Sequence, residues 1–126
     1  MGAERNSWQA SVYADARLTA QKIASHLAQA LGGTVSGASA DIVIAERIEV
    51  DVTQNDRSQL SEPVDPEDAF LDFPYDIEIF TGEAFDEADL VADVATILVA
   101  LDRLGIRYVT AADFEKELPG GGRSGP

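Results

Sequence analysis

The stretch that decides the fold is residues 86–104, DEADLVADVATILVALDRL. Its aliphatic residues recur at steps of three and four, which is the spacing of one face of an amphipathic helix. The residues at these steps are Leu90, Val94, Ile97, Leu101 and Leu104, and Val91 and Leu98 widen the stripe. Asp86 has the side chain of a good N-cap, and Gly105 can adopt the left-handed conformation that ends a helix. The stretch therefore predicts one long helix that buries an aliphatic stripe and presents acidic residues to water.

Alternating apolar and polar residues predict four strands. They cover residues 8–14, 42–52, 75–80 and 106–111. A second helical stripe begins after Asp15 or Thr19 and stops at Gly32. The second strand is about twice the usual length, so we expect a bulge near residues 46–47 or a projecting end. Residues 34–40 indicate a connection or the weak start of a strand.

The elements follow in the order strand, helix, strand, strand, helix, strand. This order predicts an α+β fold of the ferredoxin-like, split βαβ type (βαββαβ), with a four-stranded antiparallel sheet and two helices on one face. The predicted spatial order is four, one, three, two, with the second strand at an edge. The helices should cover the sheet face that carries Trp8, Val12, Ile42, Ile44, Ile77 and Ile79.

We expect a single domain over residues 8–119, with flexible termini at 1–7 and 120–126. A long acidic loop at 53–72 belongs to this domain, because that stretch has no periodicity and contains two prolines. It exceeds the length at which a structureless connection becomes uncommon in a compact domain.

The composition of the chain limits the classes of protein to which it can belong. The chain has 126 residues, of which 45% are hydrophobic, enough for one ordinary core. It has no cysteine, which excludes disulfides, thiolate chemistry and cysteine-based zinc sites. The first residues lack the apolar run of a signal peptide, and no window is apolar enough to span a membrane. We therefore expect a cytoplasmic protein.

Acidity is the most unusual property of the chain. It has 23 acidic and 9 basic residues, for a formal net charge of −14. Seventeen of the acidic residues, but two of the basic ones, lie between residues 41 and 93. Such a surface repels nucleic acid and anionic lipid and attracts a basic protein or cations. Two interpretations stand at this point: the acidity serves binding, or it keeps the protein soluble or reflects a salt-rich habitat.

The residues that we predict to bind a basic partner combine carboxylates for steering with phenylalanines for apolar anchoring. They lie in the acidic loop, directly after it at residue 73, and at the start of the main helix. They are Asp65, Glu67, Asp68, Phe70, Asp72, Phe73, Asp86 and Glu87.

The sequence shows no catalytic or cofactor set. Asp51, Asn55 and Glu62 fall at positions one, five and twelve of a calcium-loop template, but Asp56 replaces the glycine that the loop requires. We therefore predict no specific metal site. His26 is the single histidine and cannot complete a recognisable transition-metal set. No serine lies in a nucleophile motif and no glycine run forms a phosphate loop, so we predict no cofactor and no enzymatic activity.

Three features resemble small uncharacterised bacterial acidic proteins of ferredoxin-like topology. They are the split βαβ order, the LDFPY sequence at residues 71–75, and the residues at 104–106 and 113–115. Some proteins of this general type act as immunity or antitoxin proteins. The resemblance covers residues 8–119 and implies a ferredoxin-like fold and an inhibitory role, but it transfers no functional residue.

The leading hypothesis is a non-enzymatic protein-interaction module, monomeric or homodimeric, that masks a basic site on another protein as an immunity or antitoxin protein would. The alternative is a homodimer that binds a small ligand or catalyses a reaction at the open sheet face. The polar side of the predicted strands carries Gln9, Ser11, Tyr13, Val43, Arg47, Glu49, Asp76 and Glu78. A third possibility is an acidic cation-binding module.

Overall fold

The computed structural model describes residues 9–36, 40–45, 48–54, 73–81, 86–112 and 117–123. Within these residues the strands are β1 (Gln9–Asp15), β2 (Thr34–Ser36), β3 (Ile42–Ile44), β4 (Ile48–Gln54), β5 (Tyr75–Thr81) and β6 (Arg107–Ala111). The helices are α1 (Ala20–Leu31) and α2 (Glu87–Arg103), and Pro119–Gly122 forms a short 3₁₀ turn.

Both helices begin after a residue whose side chain caps the first turn, and each is followed by a glycine with positive φ. The Thr19 hydroxyl accepts a hydrogen bond from a first-turn amide of α1 at 3.2 Å, and Gly32 ends that helix with φ of 69°. The Asp86 carboxylate accepts a first-turn amide of α2 at 2.8 Å, and Gly105 follows that helix with φ of 72°. The predicted caps of the main helix are therefore confirmed.

The aliphatic stripes of the two helices pack together on one side of the sheet. Buried residues of α2 are Leu90, Val94, Ile97, Leu98 and Leu101. Buried residues of α1 are Ile23, Ala24, Leu27 and Ala28. They form one cluster with the buried residues of β1, β3, β4, β5 and β6, so the described elements share a single core.

The sheet has six strands in the order β2-β3-β4-β5-β1-β6, and every described pair of neighbours is antiparallel. The α+β class with two helices is confirmed, but the four-stranded ferredoxin-like sheet is wrong. β1 does lie between β5 and β6, and β4 lies beside β5. Two further strands, β3 and β2, extend the sheet beyond β4, so the predicted second strand does not form an edge.

The extra strands arise because β3 and β4 are two antiparallel partners and not one long strand. The Ala45 N–H donates to the Ile48 carbonyl oxygen at 3.0 Å, and Ile44 lies opposite Glu49 across the turn. The segment Thr34–Ser36, predicted as a connection or weak strand start, then pairs with β3 as β2. The excess strand length, which predicts a bulge or a projecting end, instead reflects a reversal of chain direction between β3 and β4.

The hairpin also changes which side chains reach the core. Ile44 and Val50 share one parity in the sequence, but the register places Val43 opposite Val50. Directly paired residues lie on the same face of a sheet, so the reversal exchanges the two faces before the turn. Val43 is accordingly fully buried and Ile44 is 42% exposed. The prediction that Ile42 and Ile44 face the helices is wrong.

Residues 117–123 pack against the far edge of the sheet. Leu118 is buried, and Arg123 forms an antiparallel bridge with Val109 of β6. The sequence predicts a flexible tail from residue 120, because its glycines carry no periodic pattern. Three of those glycines, at positions 120, 121 and 122, have positive φ, which allows the close turn that brings Arg123 to the sheet edge.

Candidate functional site

Register along the sheet fixes which residues share a face. Val52, Ile77 and Val12 are successive cross-strand partners and are all buried in the core with the helices. Alternate residues of the same strands point to the opposite side, which we call the polar face. Its described members on β1 and β3 to β6 are Ser11, Tyr13, Asp15, Ile42, Ile44, Glu49, Asp51, Thr53, Asp76, Glu78, Phe80, Arg107, Val109 and Ala111.

Four carboxylates gather on two adjacent strands of the polar face. Glu49 and Asp51 lie on β4, and Asp76 and Glu78 lie on β5; we call these four residues the acidic cluster. Asp51 is directly opposite Glu78, while Asp76 is opposite Thr53. Like charges directly opposite one another on antiparallel strands destabilise the sheet. The arrangement therefore costs folding energy when all four groups are ionised.

The pKa of Asp51 is raised from its ordinary value of 3.8 to about 6. Partial burial, which disfavours the charged form, is the largest cause. A side-chain hydrogen bond with Glu49 and the negative charges of Glu49, Glu78 and Asp41 add to it. All of these causes act in the same direction, so Asp51 keeps its proton to a higher pH than an isolated aspartate does.

The pKa of Asp76 is also raised. Partial burial is again the largest cause, and the charge of Glu78 adds to it. A hydrogen bond between the side chains of Ser11 and Asp76 opposes the shift by stabilising the ionised form. The backbone carbonyl of Asp76 accepts the Thr53 hydroxyl at 2.8 Å, which ties β4 to β5 beside the cluster.

Two oxygens of the acidic cluster are left without partners. Oδ1 of Asp51 and Oδ1 of Asp76 are buried and have no hydrogen-bond partner in the described part of the chain. An unsatisfied buried polar atom typically costs about 1–3 kcal/mol. A donor or cation supplied from outside would recover this cost, so the cluster favours cationic groups chemically.

Apolar and basic groups lie around the cluster on the same face. Ile44 is opposite Glu49 on one side, and the half-buried Phe80 is opposite Glu49 on the other. At the β6 edge, Arg107 forms an ion pair with Asp15 and stands over the Phe73 ring, 5.4 Å from its centroid. Arg107 is thus already matched to an anion and lies outside the cluster.

The predicted partner-binding residues fall into two groups. Asp65, Glu67, Asp68, Phe70 and Asp72 lie outside the described residues. Phe73, Asp86 and Glu87 lie within them, at two separate places. Phe73 is half-buried beneath Arg107, Asp86 caps α2, and Glu87 is exposed in the first turn of that helix. The three predicted partner-binding residues that the structure describes therefore do not form one surface.

The calcium-like run is divided in the same way, since Asn55 and Glu62 lie outside the described residues. Asp51 lies in β4, within the acidic cluster. Within the described ranges, no group of three or more histidine, aspartate or glutamate side chains has a geometry able to hold a metal ion. His26 is exposed on α1.

Sequence reasoning placed Glu49, Asp76 and Glu78 on the polar side of the strands but did not identify them as a site. Asp51 has the same parity as Glu49, but the pattern that singles it out in the sequence is the calcium-loop template. The missing information was the register between β4 and β5, which sets Asp51 opposite Glu78. The available signal was the clustering of acidic residues at one parity of two strands that are adjacent in the sheet.

Acidic residues also occur on the helical layer. The first half of α2 carries Glu87, Asp89 and Asp93, beside the cap Asp86. Apart from Asp41 and Glu117, the carboxylates of the described residues thus occupy two regions of the molecule, the polar face and α2 with its cap. Only those of the polar face are set in opposing register.

No helix of the described part of the chain has the length and apolar character needed to cross a membrane. Comparison with protein-family models, with curated proteins and with solved structures finds no match for this chain. The ferredoxin-like topology implied by the resemblance is excluded by the six-stranded sheet, and the immunity or antitoxin role remains a prediction.

Proposed function

We propose that this protein is a non-enzymatic, acidic interaction module that binds a basic surface of another protein through the polar face of its sheet. The observation that carries the proposal is the acidic cluster, in which Asp51 opposes Glu78 and two carboxylate oxygens lack partners. Lysine or arginine side chains of a partner would neutralise these charges and supply the missing donors. The free energy that the cluster costs the isolated protein would then be recovered on binding.

The surroundings of the cluster suit a protein partner. Ile44 and Phe80 lie on either side of Glu49, so apolar contacts flank the charges. Charged groups chiefly set the association rate and the choice of partner, whereas packed apolar groups slow dissociation. An immunity-type inhibitor that covers the basic substrate-binding surface of a nuclease is the concrete form of this proposal.

The proposal is tested with a synthetic lysine- and arginine-rich peptide and isotope-labelled protein. We expect the largest amide shift changes in β4 and β5, with binding that weakens as salt is raised. The double variant Asp51→Asn, Glu78→Gln should weaken peptide binding about tenfold, the effect of about 1.4 kcal/mol. The control Glu87→Gln, Glu117→Gln removes the same charge at two exposed positions and should change affinity less than about twofold.

Equal losses in the two double variants would contradict the proposal. They would mean that the peptide responds to the net charge of the chain and not to a defined site. That result would favour the interpretation in which acidity serves solubility.

A second candidate function is favoured by Asp51, a half-buried carboxyl group with a raised pKa on the polar face. A carboxyl group with a pKa of about 6 can act as a general acid or base near neutral pH. This fits a homodimer that binds a small ligand or catalyses a reaction at the polar face. Sedimentation equilibrium distinguishes the two candidates, since a tight dimer that Asp51→Lys dissociates would support the second and a monomer would exclude it.

A further inference from the structure

Within the described residues, a groove lies between α1 and α2. It is lined by a basic group and other hydrogen-bond donors, whereas the polar face carries the carboxylates of the acidic cluster. The groove has a volume of about 270 Å³ and is lined by His26, Gln29, Ala30, Ala100, Arg103 and Leu104. We call these six residues the helix groove. We propose that the helix groove binds a small anion that carries a carboxylate or phosphate group.

Three side chains with hydrogen-bond donors line the groove from two helices. Arg103 contributes a guanidinium group, His26 an imidazole and Gln29 an amide. Guanidinium donors match the paired oxygens of carboxylate and phosphate groups. The small side chains of Ala30 and Ala100 also line the space, so the donors have room to approach a ligand from either helix.

The cationic group in the groove is not committed elsewhere. The side chains of Arg103 and His26 make no hydrogen bond or ion pair with any other described residue. No carboxylate of the described residues lines the groove, although acidic residues outnumber basic ones by 23 to 9 in the chain. The neighbouring Asp102 carboxylate accepts the Tyr108 hydroxyl at 3.1 Å and does not line the groove.

The C-terminal ends of the two helices disfavour the binding of an anion, because a helix C-terminus carries partial negative charge. Backbone donors already occupy several of these carbonyls. The Ala28 carbonyl accepts the amide of Gly33 at 2.9 Å, and the Leu101 carbonyl accepts the amide of Ile106 at 3.0 Å. Their remaining acceptor strength is reduced, and the guanidinium group of Arg103 offers the opposing charge.

The volume of the helix groove limits the size of the ligand. About 270 Å³ is below the range typical of pockets for drug-sized molecules, so the groove suits an anion of few heavy atoms. Leu104 provides one apolar wall, which can pack against a short carbon chain. A small dicarboxylate and inorganic phosphate therefore represent the two chemistries that the donors can accept.

The test is an amide-shift titration of labelled protein with sodium phosphate and sodium succinate, against sodium chloride at the same ionic strength. We expect saturable changes at the ends of α1 and α2 with at least one of the two anions and not with chloride. The anion that binds more tightly identifies the preferred group. Non-saturating changes with both, or equal changes with chloride, would overturn the proposal.

Matched variants separate the site from general charge effects. Arg103→Gln should raise the dissociation constant about tenfold, the loss expected for one charge-assisted hydrogen bond. Arg17→Gln removes the same charge at an exposed position outside the groove and should change it less than about twofold. Equal effects of the two substitutions would overturn the proposal. Both residues are exposed, so folding is expected to survive, and circular dichroism verifies it.

Discussion

Replacing Asp51 by asparagine should stabilise the protein at neutral pH, although it changes a residue of the candidate site. The pKa of Asp51 rises from 3.8 to about 6 on folding, so the folded chain disfavours the ionised form. A shift of this size corresponds to about 3 kcal/mol. Because Asp51 is half-buried and its charge is screened by water, we expect about 1–2 kcal/mol of this to be measurable. Asparagine keeps the shape of the side chain and removes the charge.

The gain in stability on replacing Asp51 by asparagine should depend on pH. The pKa of this carboxyl group is higher in the folded state than in the unfolded state. Between the two pKa values the folded state therefore binds more protons, and the free energy of unfolding falls as pH rises through that window. The cost is absent below about pH 4, where the group is protonated in both states, and complete above about pH 6. The stability difference between Asp51→Asn and the original chain should therefore grow from near zero at low pH to its full value above pH 6.

The assay is urea unfolding followed by circular dichroism at several pH values, with the slope of the unfolding curve compared between variants. Glu87→Gln is the control, since it removes one negative charge at an exposed position in the first turn of α2. Loss of that charge from the positive end of the helix should destabilise the protein by about 0.3–1 kcal/mol, which is the opposite sign. Destabilisation by Asp51→Asn above pH 6, or a difference that does not vary with pH, would refute the reasoning.

Three further predictions concern the fold and are read from urea unfolding at neutral pH. Val43→Ala should cost about 2 kcal/mol and Ile44→Ala less than about 1 kcal/mol, because Val43 is fully buried and Ile44 is 42% exposed; the reverse ranking would contradict the hairpin register. Asp86→Ala should cost about 1 kcal/mol by removing the cap of α2, whereas Asp86→Asn should be nearly neutral; equal losses would show that charge and not the cap matters. Thr110→Val should stabilise the protein by about 1 kcal/mol, since Oγ1 of this buried residue has no partner among the described residues; a loss of stability would indicate that the hydroxyl is satisfied.

The helices could be predicted from the sequence because their signals are local. The stripe of α2 repeats over the whole helix, and its cap and terminating glycine lie at the two ends of the stripe. Each of these features depends on residues no more than a few positions apart. Burial of Leu90 and Leu101 then followed from helical geometry alone.

The sheet could not be predicted in full because the decisive signal lies in a turn. Ile42, Ile44, Ile48, Val50 and Val52 share one parity in the sequence. The reversal of chain direction between β3 and β4 leaves that parity unchanged in the sequence while it exchanges the faces in space. The same lack of non-local information hid the acidic cluster. Asp51 and Glu78 are far apart in the chain, and only the register between β4 and β5 sets them opposite each other.

The position of the carboxylates bears on whether acidity serves binding or solubility. Solubility is served by charges that remain in water, such as the exposed Glu87, and these cost the fold little. Half-buried carboxylates in opposing register, such as Asp51 and Glu78, repel one another and add nothing to solubility that an exposed glutamate would not. If binding is what the cluster serves, the same substitution of Asp51 raises stability and lowers affinity for a basic peptide. If solubility were its use, stability would rise and peptide affinity would fall no further than in the Glu87 control.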